Sequence, residues 1–177
     1  MISKKYWLLF EKSDDTRISK GIDGYRDETG EIYRYDSKVP NHKKLSLGDV
    51  IVLRKENEIL GLGRIENIVS VAAVKKHRRC SKCESTDIRE RITLSPTWKC
   101  GKCTHEFAEP INTNMSVLAY TATISDFTLF INSPSFREVK ACALAQKGSA
   151  SQLSILQLDE EKINTLLKDI KSFPVAH

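Results

Sequence analysis

No apolar run in this chain of 177 residues approaches the roughly 18 needed to span a bilayer, so no membrane partner is expected. The amino-terminal stretch "MISKKYWLLFEKSDD" has two lysines and a short apolar run that ends at Glu11. It lacks a small-residue cleavage site, so it reads as a first strand and not as a signal peptide, and the expected compartment is the cytoplasm. There is no internal repeat and no low-complexity tract. Apolar residues at 40% and charged residues at 29% exclude an intrinsically disordered chain.

Charge of one sign is modest overall and concentrated locally. The formal net charge is +5, and a four-thiolate zinc site would lower it by about two. Between Lys75 and Cys103 there are nine cations (Lys75, Lys76, Arg78, Arg79, Lys82, Arg89, Arg91, Lys99, Lys102) against three acids, Glu84, Asp87 and Glu90. Such a run forms either a solvated surface or a phosphate-facing patch.

Cysteine is scarce but placed. Cys80, Cys83, Cys100 and Cys103 form two C-x-x-C knuckles sixteen residues apart. Two intervening residues let a tight turn aim both thiolates at one ion, and the second knuckle completes a tetrahedron. A redox motif needs one knuckle, and a disulfide framework needs an oxidising compartment. The pattern therefore points to Zn2+. Four thiolates leave no open position, so the ion is structural. Gly101 suits a turn with positive φ. The loop "ESTDIRERITLSPTWK" alternates around Ile88, Ile92, Leu94 and Trp98 like a hairpin, which makes a zinc ribbon. Ribbons bind nucleic acid, contact proteins or staple folds, and the knuckles alone do not choose. His77 and His105 flank a site that the cysteines already fill. Cys142, in "VKACALAQK", reads as a buried structural residue.

Strands are expected at 5–12, 32–35, 50–54 and 59–68 before the ribbon, with turns at Gly48-Asp49 and Glu56-Asn57. Residues 13–31 and 36–44 read as loops. After the ribbon come strands at 115–124, 127–132 and 151–158, with 137–147 either helix or strand. A last amphipathic helix runs through "DEEKINTLLKDIKSF", capped by Asp159, with Ile163, Leu166, Leu167 and Ile170 on one face. The expected fold is mainly β (α+β). One domain forms from 1–72 and 111–177, and 73–110 is an inserted ribbon.

The stretch "YRYDSKVPNHKKLSLGDVIVLRKENEILGLGRI" resembles the PUA-like superfamily, which includes the PUA, ASCH, EVE, YTH and SRA domains. In that β-barrel the Gly48-Asp49 turn starts a barrel strand, and Gly61 and Gly63 leave room on the next. With its four-cysteine ribbon, the chain is similar to reader modules attached to modification-dependent HNH restriction endonucleases. It departs from them in having only four histidines and no HNH-like cluster. The resemblance implies a non-catalytic reader that flips a modified base, 5-methylcytosine first, out of double-stranded DNA, with a nuclease domain or subunit as possible partner. The pocket it implies draws on Tyr33, Tyr35 and Asn41 first, then Trp7, Tyr25 and Asp36. The flanking phosphates would meet Arg26, Arg34, His42, Lys43 and Lys44, and the ribbon's Lys75, Lys76, Arg78, Arg79, Arg89 and Arg91 would clamp the backbone.

Three other readings stand beside this one. Trp7, Tyr33 and Tyr35 could be core residues. PUA and ASCH relatives bind RNA. Asp126, Glu138 and Lys140 fit a loose two-carboxylate nuclease spacing that would use Mg2+.

Overall fold

The structure, a computed structural model, describes residues 3–12, 27–144 and 153–175. They divide into two compact units. The first is built from 3–12, 27–71, 119–144 and 153–175, and the second from Ala72–Leu118. No helix among the described residues is long and apolar enough to cross a membrane.

The fold is β-rich. The strands are β1 (Tyr6–Glu11), β2 (Ile32–Asp36), β3 (Val50–Lys55), β4 (Glu58–Arg79), β5 (Ile88–Glu90), β6 (Trp98–Cys100), β7 (Glu106–Phe107), β8 (Ile111–Phe130), β9 (Ile155–Leu158) and β10 (Ser172–Pro174). Two helices, α1 (Phe136–Lys140) and α2 (Glu160–Leu167), flank β9. The main sheet has seven strands in the order β10-β8-β4-β3-β1-β9, with β2 also on β8. It is mixed. β1 runs parallel to β3, with Trp7 beside Ile51 and Leu9 beside Leu53, and antiparallel to β9.

β1 reads as an unbroken apolar run because it is buried on both faces. Period two sends alternate residues to opposite sides. Trp7 and Leu9, with Ile51 and Leu53 of β3, enter a core shared with Tyr33, Tyr35, Ala122, Ile124 and Phe127. Tyr6 and Leu8, with Val50 and Val52, enter a second core, where Val139 of α1 and Ile163 of α2 cover the sheet. On the first side the sheet covers itself. β2 is four strand spacings from β1 along the pairing path, about 19 Å if the sheet were flat. Yet the Tyr33 hydroxyl lies 3.3 Å from the Phe10 carbonyl and 2.9 Å from that of Ser154. Among the described residues the sheet is therefore strongly curled, closed by side-chain bonds and not by a continuous ladder.

Gly61 and Gly63 make close approach possible, as the resemblance implied. A Cβ on Gly61 would stand 2.0 Å from the Thr128 carbonyl oxygen, and one on Gly63 2.7 Å from the Ile124 side chain.

Several boundaries differ from the expectations. The strand expected at 59–68 continues to Arg79, and 115–124 and 127–132 are parts of one strand, β8. Asp126 keeps its place in β8 with φ of 53°. α1 stops at Lys140, and Ala143 then bridges to Leu158. The last helix ends at Leu167, with Lys168 as its cap. The chain then adds β10 to the edge of β8, where Pro174 is tolerated as an edge residue. Asp159 caps α2 as expected, accepting from the Lys162 amide at 2.9 Å.

Candidate metal centre

Unit two holds the cysteine site. β5, β6 and β7 make a three-stranded antiparallel sheet in that order. Its core is small: Cys80, Ile88, Cys100 and Phe107, with Trp98 packed against them. The expected hairpin alternation holds only in part. Ile88 is buried, but Ile92 is 97% exposed and Leu94 58%, because both fall in the connection between β5 and β6.

The two knuckles repeat one geometry. The amide of Glu84 donates to the Cys80 carbonyl, and that of Thr104 to the Cys100 carbonyl. Glu84 and Thr104, each four residues after the first cysteine of its knuckle, have φ of 60° and 62°. The positive φ expected at Gly101 belongs to Thr104 instead. Gly101 instead lies close to a side chain: a Cβ there would stand 2.3 Å from the Asp87 carboxylate, which would have to shift. The amides of Lys82 and Cys103 each lie 3.4 Å from a cysteine sulfur, Cys80 and Cys100 respectively.

All four cysteines are unpaired thiols, and their sulfurs lie within 4.8 Å of one another. Cys80 to Cys103 is 3.7 Å and Cys83 to Cys100 is 3.6 Å. A tetrahedron with Zn–S bonds of about 2.3 Å has edges of about 3.8 Å, so the donor set fits Zn2+. Disulfides would need about 2.0 Å. Burial opposes ionisation of Cys80, but the amides of Cys83 and Lys82 and neighbouring thiols outweigh it and bring this thiol down to about 7. An amide bond at Ser85 favours the Cys83 thiolate, but burial and the other three sulfurs push this thiol up to about 12. A divalent cation removes that conflict, because it lets all four ionise together.

The ribbon's cations divide. Arg89 pairs with Lys99 across β5 and β6, and Lys99 pairs with Glu106 across β6 and β7, so the three share one face of the ribbon sheet. Like charges directly opposite each other are a local cost. Lys76, Arg89, Lys82 and Lys102 are exposed, and Lys75 and Arg78 are half-buried. Arg91 is turned inward. Its guanidinium bonds Glu106 at 2.8 Å and the Pro96 carbonyl, holding the β5–β6 connection, and it lowers the Glu106 carboxyl. Arg79 reaches the Glu84 carbonyl at 3.1 Å. Arg91 and Arg79 therefore serve the ribbon itself. His77 is buried, and His105 stacks on Phe107.

In unit one the aromatic residues expected at a pocket are mostly core. Trp7 is fully buried, and its indole donates to Asp49 at 2.8 Å. The Asp49 carboxylate also accepts from the amides of Lys5 and Ser46, so the Gly48-Asp49 turn is a clamp on β1. Tyr33 is buried and bonded to two carbonyls. Tyr35 stacks on Tyr33 at 5.8 Å and on Tyr120 at 4.9 Å. Its hydroxyl is buried without a hydrogen-bond partner, and burial followed by Tyr120 pushes it up to about 12. His42 leans on the half-buried Tyr120 ring, and its Nδ1 meets the Val39 carbonyl at 2.8 Å. The Asn41 amide donates to the Ile155 carbonyl, and the buried Asp36 accepts from the Lys38 amide. Arg34 pairs with Glu28 at 3.6 Å, while Lys43 and Lys44 are exposed. Tyr25 and Arg26 lie outside the described residues. Tyr120 carried no motif, and only the β2–β8 register reveals it.

The residues of the nuclease spacing have local uses. Glu138 closes the α1 capping box with Ser135, and Lys140 ends that helix. Asp126 is an exposed residue of β8. Cys142 is buried, its thiol raised by burial.

No family model matches the sequence, and no curated protein matches it. Among solved structures the chain is similar to ZmASCH from Zymomonas mobilis, crystallised as a tyrosine-to-phenylalanine variant. The identity is 11% and the TM-score 0.47, over 95% of this chain and 100% of that one. No residue role is transferred at that distance.

Proposed function

We propose that this chain is a non-catalytic, PUA-like nucleic-acid-binding module whose structural zinc ribbon grips phosphates and whose curled sheet reads a modified base in DNA, 5-methylcytosine first. One observation carries the phosphate role. Arg89 and Lys99 stand side by side on one face of a small sheet, a like-charge pair that Glu106, opposite Lys99 and bonded to Arg91, offsets only in part. A phosphate between them turns that cost into binding energy.

The base-reading role rests on what remains open in unit one. With Trp7 and Tyr33 in the core, the aromatic surface beside the expected pocket residues is Tyr120 with His42, backed by Tyr35. The Tyr35 hydroxyl is buried behind the Tyr120 ring without a partner, so a base edge would satisfy it only with Tyr120 displaced. A nuclease domain or subunit would supply any cleavage.

The test is fluorescence-anisotropy binding at one salt concentration. Matched duplexes would carry no mark, 5-methylcytosine, 5-hydroxymethylcytosine, N6-methyladenine or phosphorothioate, with RNA as competitor. A preference of about tenfold, or about 1.4 kcal/mol, for one mark is expected. Tyr35→Phe should remove that preference and leave unmarked binding unchanged. Equal binding to every duplex would sink base reading, and displacement by RNA would make RNA the ligand.

A further inference from the structure

We propose that the connection between β5 and β6 is a tip that enters the DNA major groove, where Ile92 and Leu94 contact the C5-methyl groups of thymine. This rests on the phosphate role of Arg89 and Lys99 proposed above. The connection is closed at its base. The Arg91 amide donates to the Thr97 carbonyl at 2.7 Å, and the Arg91 guanidinium bonds the Pro96 carbonyl and Glu106. β7 ends at Phe107, opposite Trp98, so residues 92–96 extend past the three-stranded sheet as a two-armed tip. Its two large apolar side chains meet solvent: Ile92 is 97% exposed and Leu94 58%. Neither belongs to the ribbon core.

The surroundings identify the partner. Arg89 and Lys99 lie opposite each other, two residues from Arg91 and Thr97 and so about 7 Å behind the base of the tip. The major groove is about 12 Å wide, which admits a two-stranded ribbon, and about 8.5 Å deep. A tip that reaches base edges there leaves both cations at the level of the phosphates. The nearby acids do not oppose this. Glu90 faces away from its strand neighbour Arg89, and Glu106 is engaged by Arg91. The apolar group that an unmarked duplex shows in the major groove is the thymine C5-methyl. A specific protein interface would need about 800 Å² from this side. The tip offers only two large apolar side chains, and their exposed neighbours Thr93 and Ser95 are polar.

The test is anisotropy binding of the full zinc-loaded chain to two unmarked, A·T-rich duplexes of one sequence, one with thymine and one with deoxyuridine in its place. Loss of two methyl contacts should raise the wild-type Kd about tenfold on the uracil duplex. Ile92→Ser/Leu94→Ser should bind both duplexes alike, with the wild-type dependence on salt, because Arg89 and Lys99 are untouched. Ile92→Val/Leu94→Val should keep a preference for thymine. Both side chains are exposed, so these changes leave the ribbon core intact. Salt-dependent wild-type binding that ignores the methyl groups overturns the reading tip and leaves the phosphate role standing. A preference that survives in the double serine variant also overturns the tip, since the duplex itself would then be its source. A chain that binds neither duplex overturns the phosphate role and the tip together.

Discussion

At the scale of single residues, the recognisable motif turns out to be structural. Asp49 accepts three hydrogen bonds, from the Trp7 indole and from the amides of Lys5 and Ser46. Asp49→Ala would leave those donors without a partner, and we expect a loss of about 3 kcal/mol in urea unfolding. Asp27 behaves differently. Burial raises its carboxyl to about 6; the Arg34 amide bond opposes this and nearby Glu11 adds to it. A carboxyl whose folded value lies above its unfolded one stabilises the fold in acid and loses that contribution as pH rises through 6. Asp27→Asn mimics the protonated form, so it should stabilise the protein at pH 7.5 and leave it unchanged at pH 4. Equal effects at both values would contradict the assignment. Neither role was legible beforehand, because Asp49 depends on the distant Trp7 and Asp27 on its burial in the fold. Arg54 shows the same limit: it closes the strand expected at 50–54, and only the fold places its buried guanidinium between the Phe10 and Phe136 rings, 3.6 Å from each.

At the scale of elements, the cysteine spacing was the most informative feature of the sequence, because two local turns and one ion need nothing from the rest of the chain. β1 was equally plain. β4 and β8 were not, since their outer stretches are exposed and lack the burial alternation that marks a strand. The ribbon's strands are three, three and two residues long around a core of four buried side chains. On the proposed reading, a sheet this small holds only with a metal on its four thiolates. The two tryptophans make this measurable, because Trp7 is buried in unit one and Trp98 packs in the ribbon. A strong zinc chelator should red-shift Trp98 emission in a Trp7→Phe variant. Trp7 emission in a Trp98→Phe variant should stay unchanged. Retention of the Trp98 signal after metal removal would show a ribbon that stands on its side chains alone.

At the scale of the whole molecule, the modest net charge of +5 conceals a division of labour. The cations that hold the ribbon together, Arg79 and Arg91, are engaged inside it, while Arg89 and Lys99 are set side by side on its sheet. The run of basic residues was visible in the sequence, but which members hold the ribbon followed only from strand register and hydrogen bonds. The most direct test is DNA affinity measured against salt for the zinc-loaded chain and for Arg89→Ala/Lys99→Ala. The account predicts that log K falls linearly with log salt, and that the double variant weakens every duplex alike and lowers the slope by about two. Binding that is absent, or a slope that the variant leaves untouched, would contradict it.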